Sequence, residues 1–251
     1  MKTEAEVREF IENGEKKYFP NLTIDCAIFG YHERQLKILL ARWNGIDGLS
    51  LPGGFVERKE SLSQAANRIL KEKTSLEKVF LQQFYTFGDS GFRMENYKKY
   101  STLAKDSWLR GRTFSVGYYA LVNFGRVRVE EDILTKKYLW QDVHKMPGLL
   151  FDHNEVIEKA LHHMRINLYH QPIGYNLLGK EFTLPEIQSL YETILDKKLD
   201  RRNFPKKLMM LGLIKDTHKT RNIGRHRSPK LYVFDSGKYN QALREGIVLA
   251  F

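Results

Sequence analysis

The sequence has a single cysteine, no long apolar segment and no secretory leader. With Cys26 alone among 251 residues, no disulfide can form within the chain, and a reducing, cytoplasmic compartment is the simplest expectation. No apolar run approaches the roughly eighteen residues that a membrane span needs, so we expect no membrane partner. The first seventeen residues are charged and mixed, which excludes a signal peptide.

Acidic residues are also in short supply. The chain has 30 Asp and Glu against 41 Lys and Arg, a net charge of +11. The excess is concentrated in residues 196–230, where twelve Lys and Arg accompany three Asp. A concentrated basic segment favours a polyanionic partner, and nucleic acid is the leading class. A solvated surface can carry the same charge, so the interpretation also depends on the neighbouring motifs.

The length permits one large domain or two small ones, and 42% hydrophobic residues are enough for a packed core. Pro172, Gly174 and Gly179 place a boundary in residues 169–182. Apolar and β-branched segments predict strands at 22–29, 36–42, 79–88, 113–124, 127–129 and 138–141. No His, Cys or acidic cluster shows metal-ligand spacing, so we expect neither a metal nor a cofactor.

The segment from Leu51 to Leu76 combines a Gly-Gly turn, a loop and an amphipathic helix. Gly53 and Gly54 allow backbone conformations closed to other residues. A capping box of Ser61 and Gln64 predicts the start of the helix. Apolar residues at helical spacing predict its buried face: Leu62, Ala65, Ala66, Ile69 and Leu70.

This segment resembles the Nudix box, the signature of hydrolases that cleave nucleoside diphosphates linked to another moiety. The box reads G-x5-E-x7-R-E-U-x-E-E-x-G-U, where U is aliphatic. Its positions are matched here by Gly54, Glu60, Arg68, Leu70, Glu72 and Leu76. Ser75 replaces the closing glycine. An ordinary turn followed by a helix is the alternative, but the match extends over more than twenty residues.

The departures from the box affect its metal chemistry. Such hydrolases hold Mg²⁺ through helical carboxylates, which suit a hard cation. Ile69 and Lys73 stand where two of the glutamates belong, so Glu72 remains beside an ammonium group. We therefore interpret the segment as a scaffold that has lost its catalyst, in which Glu60 and Arg68 brace the loop against the helix.

The C-terminal region has the layout of a winged helix. Thr183 and Glu186 form a second capping box, a second helix is predicted near residues 201–211, and two strands flank a basic loop. The second helix of such modules enters the major groove, while the wing lies along phosphate. A winged helix that binds protein is the alternative. The predicted DNA contacts are Arg201, Arg202, Asn203, Lys206, Lys207, Lys219, Arg221, Arg225, His226, Arg227 and Lys230.

Together these features resemble the Nudix-related transcriptional regulators of bacteria. LLFDHNEVIEKAL is similar to the family's closing helix, and FTLPEIQSLYETILDKKLDRRNFPKKL to its winged-helix signature. The resemblance implies an α/β (α+β) fold: a Nudix-like mixed-sheet α/β/α sandwich followed by a winged helix-turn-helix domain. We expect an N-terminal extension (1–20), a Nudix-like domain (21–168), a linker (169–182) and a winged helix domain (183–251).

The resemblance further implies a homodimeric repressor that binds a palindromic operator on double-stranded DNA and is released by a small effector. ADP-ribose and a sugar such as arabinose are both open, and the long segment 89–112 departs from shorter family members. The candidate effector residues are Asp25, Arg42, Arg58, Glu72, Phe87, Asp89, Arg112 and Tyr118. A hydrolase with an unorthodox metal site and an adaptor without an effector are the alternatives. Metal-dependent turnover would favour the first alternative over a regulator.

Overall fold

The computed structural model describes residues 4–43, 47–88, 108–110, 112–129, 135–172, 177–222 and 228–249. Its helices are α1 (Glu4–Asn13), α2 (Leu62–Thr74), α3 (His153–Asn167), α4 (Leu184–Leu195), α5 (Asn203–Met210) and α6 (Ser236–Glu245). Its strands are β1 (Tyr18–His32), β2 (Gln35–Trp43), β3 (Leu49–Ser50), β4 (Gly53–Glu57), β5 (Phe80–Phe87), β6 (Phe114–Val122), β7 (Thr135–Asp142), β8 (Ile214–Thr220) and β9 (Lys230–Phe234).

Internal contacts group the chain into two compact units. The first contains Met1–Gly30 and Lys37–Ala160, and the second contains Tyr31–Leu36 and Leu161–Phe251. The division therefore falls within α3, and the connection between β1 and β2 belongs to the second unit. Within the described ranges, no helix is long and apolar enough to cross a membrane.

A mixed sheet forms the centre of the first unit. Its strand order is β3-β2-β1-β6-β5, with β4 paired to β1 and β7 paired to β2. β1 runs parallel to β6 from Leu22 to Gly30, whereas β5 runs antiparallel to β6. Ile24 and residues 26–29 have no exposed surface. A strand covered on both faces explains why this segment is almost continuously hydrophobic.

The two faces of the sheet carry different helices. Because side chains alternate along a strand, Ile24, Cys26 and Ile28 share one face, where they pack in one core with Ala65 and Ile69 of α2. The intervening residues of β1 point to the opposite face. There the first turn of α3 approaches the sheet, and its apolar residues are fully or almost fully buried: Val156, Ile157 and Ala160. This arrangement confirms the predicted α/β/α sandwich.

Both predicted capping boxes are present. Ser61 Oγ accepts the Gln64 N–H at 3.2 Å, and Gln64 Oε1 accepts the Ser61 N–H at 2.8 Å. Thr183 and Glu186 make the same reciprocal pair at the start of α4. Ser75, where the box has glycine, ends α2 in the left-handed conformation at φ 57°. A left-handed residue satisfies the last carbonyls of a helix, so Ser75 takes over the geometric role of the glycine.

The C-terminal helices and strands form the predicted winged helix. Tyr191 of α4 packs against Phe204 of α5, with ring centroids 5.0 Å apart. β8 and β9 pair antiparallel, and Phe182 bridges to Tyr232 of β9. One helix, α6, was not predicted from the sequence; it follows β9 and is capped by Asp235.

Several local predictions were wrong. Residues 127–129 do not form a strand, because the Arg128 N–H donates to Thr74 O at the end of α2, at 3.0 Å. The box segment 53–57, expected as a loop, pairs with β1 as strand β4. The N-terminal extension was expected to reach Pro20, yet β1 begins at Tyr18. Pro20 lies at a register shift in the β1–β4 pairing, where a strand tolerates a residue without an N–H.

Candidate effector site and nucleic-acid interface

The guanidinium of Arg68 lies among the carboxylates of the box. It donates to Glu60 Oε1 at 2.6 Å and Oε2 at 3.0 Å, and to the carbonyl of Phe55 at 2.9 Å. Its Nη1 lies 3.3 Å from Glu72, and its Nε lies 3.6 Å from Glu57. A protein cation therefore balances the negative charges that remain in the box.

Both members of this brace stay charged. Burial alone would raise the pKa of Glu60, but hydrogen bonds from the Arg68 guanidinium and the Glu57 N–H hold it below its ordinary value of 4.5. The hydrogen bond to Glu60 raises the pKa of Arg68, against an opposing effect of burial. The bidentate contact is of the stronger, charge-assisted kind. The predicted brace between loop and helix is confirmed.

Ile69, one of the two residues that replace a box glutamate, contributes to packing. Ile69 is completely buried in the core beneath α2. A Cβ atom at residue 54 would lie 3.2 Å from Ile69, so the isoleucine fits tightly against Gly54. The charge of Lys73, the other replacement, acts on the buried thiol of Cys26. Burial, with a further contribution from the Asp25 charge, raises the pKa of Cys26 to about 12, and the Lys73 charge opposes both effects. Neither Ile69 nor Lys73 offers an oxygen ligand to a metal.

A buried polar network connects β1, β6 and α3. Ser115 Oγ donates to Asp25 Oδ2 at 2.6 Å, and His153 Nε2 lies 3.6 Å from the same oxygen. The Leu51 N–H donates to His153 Nδ1 at 2.9 Å. Asp25, Ser115 and His153 are all buried. Neither Ser115 nor His153 was predicted from the sequence, although a serine in a buried strand and a histidine in a first helical turn were the available signals.

The same network contains the one group of possible metal ligands found among the described residues. Ligand atoms of Asp25, Asp152 and His153 lie within 4.8 Å of one another. However, His153 Nδ1 accepts the Leu51 N–H, so the neutral ring carries its proton on Nε2, the nitrogen that faces Asp25. A protonated nitrogen donates a hydrogen bond and cannot bind a metal. The donor set therefore suits a histidine–aspartate pair better than a cation site.

The structure does not bring the effector candidates that it describes into one cleft. Asp25 and Phe87 share the α3 face, where Phe87 lies against Gly117. Tyr118 lies in the core on the opposite, α2 face, and its hydroxyl donates to Gln83 Oε1 at 3.0 Å. Burial raises the pKa of Tyr118. All three candidates are buried at 6% exposure or less.

The remaining effector candidates lie closer to solvent. Glu72 is half-exposed beside Arg68, and Asp89 lies outside the described residues. The three arginines each contact a nearby acceptor: Arg42 with Asp47 at 3.5 Å, Arg58 with Glu15 O at 2.9 Å and Arg112 with Gly88 O at 2.6 Å. These residues stay predictions as effector contacts.

α5 and the turn before it present a polar surface. Arg201, Arg202, Asn203 and Lys206 are exposed, and Lys207 is partly exposed. Asp200 Oδ1 accepts the N–H groups of Arg202 at 3.0 Å and Asn203 at 2.7 Å. The Asp200 carboxylate thus satisfies the first free N–H groups ahead of the helix. The helix then begins at Asn203, so Pro205 lies in its first turn.

The described cations of the β8–β9 hairpin are paired with acidic side chains. The pairs are Lys215 with Asp235, Lys219 with Glu181 at 2.9 Å, Arg221 with Glu186 at 2.7 Å and Lys230 with Asp216 at 3.0 Å. Arg221 also donates to the Glu181 carbonyl at 2.9 Å and so joins the hairpin to the α4 capping box. Arg225, His226 and Arg227 lie outside the described residues. DNA contacts by the wing stay a prediction.

Comparisons with known proteins agree with this architecture. The NUDIX domain profile matches residues 20–163, and the profile of the NrtR DNA-binding winged helix domain matches residues 174–234. The ADPR responsive transcriptional repressor NtrR of Acinetobacter baylyi is 28% identical over 240 residues, covering 92% of this chain and 89% of that protein. The ADP-ribose pyrophosphatase of Methanocaldococcus jannaschii is 30% identical over 146 residues, covering 57% of this chain and 76% of that enzyme.

A solved structure shows the same arrangement of elements. The crystal structure of Shewanella oneidensis NrtR, complexed with a 27mer DNA, matches with a TM-score of 0.69 and 28% identity. The match covers 87% of this chain and 95% of the other. The likeness therefore extends over both the sheet domain and the winged helix.

Proposed function

Because the chain belongs to the Nudix family and carries an NrtR-type DNA-binding winged helix, we propose that it is an ADP-ribose-responsive transcriptional repressor. The observation that carries the proposal is the likeness to a repressor of that kind over 92% of the chain. ADP-ribose is preferred to arabinose because both of the similar proteins, the repressor and the pyrophosphatase, are named for ADP-ribose.

The Nudix unit serves as the receptor for the effector and does not cleave it. Support comes from the box, where Ile69 is buried in the core and Arg68 balances the remaining carboxylates. An uncleaved ligand gives a stable signal. With Mg²⁺ or Mn²⁺ present, we expect chromatography to show no hydrolysis of ADP-ribose to AMP and ribose 5-phosphate. Turnover that disappears in Glu72→Gln would contradict this part of the proposal.

The protein acts on DNA as a homodimer, with one winged helix on each half of a palindromic operator. The second helix of such a module reads base edges in the major groove. α5 and the turn before it suit that role, since Arg202 can pair with guanine and Asn203 with adenine. The cations around it supply phosphate contacts, which make binding strongly salt-dependent.

The test is an operator titration with and without effector. An operator is selected from a randomised duplex library with the full-length protein, and its Kd is measured by fluorescence anisotropy at fixed salt. Saturating ADP-ribose should weaken binding about 5–150-fold, the usual range of allosteric coupling, while arabinose leaves the Kd unchanged. Equal Kd values with and without ADP-ribose would refute its role as effector, and absence of sequence preference would refute the regulator itself.

A further inference from the structure

One apolar side chain interrupts the polar face of α5. Asn203, Lys206 and Met210 follow each other at i, i+3 and i+7, which places them on one side of a helix. They line one depression of about 300 Å³, together with Leu199, Asp200, Phe204 and Lys207. Met210 is 78% exposed, the largest value among the exposed large hydrophobic residues of the described chain.

The neighbouring methionine provides a comparison within the same helix. Met209 is also exposed, at 42%, but it does not line the depression. Successive helical residues are turned by about 100°, so Met209 points away from the side that carries Asn203 and Met210. α5 is anchored in the core by Phe204 and Leu208, at 2% and 0% exposure. The orientation of Met210 toward the open side is therefore fixed by packing.

The chemistry of the major groove limits what such a side chain can contact. Phosphates and the edges of guanine, cytosine and adenine present charged or hydrogen-bonding groups, and a thioether chain is a poor partner for them. The C5-methyl of thymine is the apolar group that base pairs present in this groove. Methionine is unbranched and adaptable, so it can cover such a methyl without a strict geometry.

We propose that Met210 is a specificity-determining residue that contacts the C5-methyl of a thymine in each operator half-site. This inference rests on the proposed function, because it requires that α5 enters the major groove. Asn203 and Met210 are seven residues apart, which is about 10 Å along a helix axis. At about 3.4 Å per base step, the thymine lies about three base pairs from the base that Asn203 reads.

Deoxyuridine provides the test, because it differs from thymidine only by the missing methyl. Starting from the duplex selected by the wild-type protein, each thymine is replaced singly by deoxyuridine, and the Kd is measured for wild type, Met210→Ala and Met209→Ala. In each half-site, one thymine should be sensitive to the replacement. Replacing it alone should raise the wild-type Kd about fourfold, the factor for burying one methyl-sized group. That replacement should have no effect on Met210→Ala and the full effect on Met209→Ala.

The outcomes separate the inference from the function on which it rests. Sequence-specific binding that no deoxyuridine replacement weakens overturns the inference and leaves the repressor intact. The inference is also overturned, and the repressor left intact, if the replacement still weakens binding by Met210→Ala or no longer weakens binding by Met209→Ala. A protein that selects no sequence contradicts the proposed function, and the inference fails with it. Met210 is exposed, so both variants should melt at the wild-type temperature, which confirms that they are folded.

Discussion

Replacing Arg68 with methionine should destabilise the Nudix unit. Arg68→Met keeps most of the aliphatic chain and removes the guanidinium, which makes two hydrogen bonds to Glu60 and one to the Phe55 carbonyl. Glu60 is left at 13% side-chain exposure without this cation, and Glu57 and Glu72 add negative charge nearby. Breaking a largely buried pair in this way costs about 3–5 kcal/mol.

The lower end of that range applies, because the Arg68 side chain is 24% exposed and water can reach the vacated space. A loss of about 3 kcal/mol lowers the Tm by about 6–12 °C in a domain of roughly 150–250 residues. The pKa of Glu60 is depressed in the folded protein, so its stabilising effect is present above the ordinary value of 4.5 and is lost as pH falls through the folded pKa. The difference between wild type and variant should therefore be largest near neutral pH and shrink below 4.5.

Thermal unfolding by circular dichroism at a series of pH values measures the effect. Lys71→Met is the matched control. It removes a cation from the same helix, and the ion pair of Lys71 with Glu77 is exposed to solvent. Its Tm should stay close to that of the wild type. The double variant Arg68→Met/Glu60→Gln should recover part of the lost stability. A Tm for Arg68→Met that equals the control value, or a loss that does not change with pH, would refute the reasoning.

Three further predictions address the buried thiol, the polar network and the DNA surface. Burial raises the pKa of Cys26 to about 12, so iodoacetamide at about pH 8 should alkylate the protein only in concentrated urea. Mass spectrometry measures the labelling, and rapid labelling of the folded protein would contradict this burial. Ser115→Ala removes a buried hydrogen bond to Asp25 and should cost about 1.5–3 kcal/mol in urea unfolding, whereas an unchanged midpoint would show that the bond is dispensable. Arg202→Ala should cost about 1–3 kcal/mol of operator affinity and relax one base position, and an unchanged binding profile would remove Arg202 from the interface.

Local features of the fold were predictable from the sequence alone. The two capping boxes depend on residues three positions apart, and the apolar face of α2 depends on a repeat within one helix, so a single sequence contains the whole signal. The winged helix was predictable for the same reason, because its helices, turn and hairpin follow one another directly. The Nudix box combined both kinds of local signal with a fixed spacing.

The candidate effector site was less predictable because it depends on contacts between distant segments. Asp25 meets Ser115 and His153 only after the sheet and α3 have formed, and nothing near Asp25 in the sequence indicates either partner. Strand alternation separates Tyr118 from Asp25, since they lie on opposite faces of the sheet. That separation follows from the register in which β1 pairs with β6. This register cannot be read from a single sequence.

The second unit includes Tyr31–Leu36, which is the tip of the β1–β2 hairpin in the Nudix sheet. In that unit the Tyr31 hydroxyl donates to Ser189 Oγ at 3.0 Å, and Thr193 Oγ1 donates to the Arg34 carbonyl at 3.3 Å. Gene fusion or recombination that joins at residues 169–182 would transfer α4 to α6 but leave this hairpin tip behind. Such an exchange would keep these two hydrogen bonds only where the incoming winged helix carries partners that match the hairpin tip.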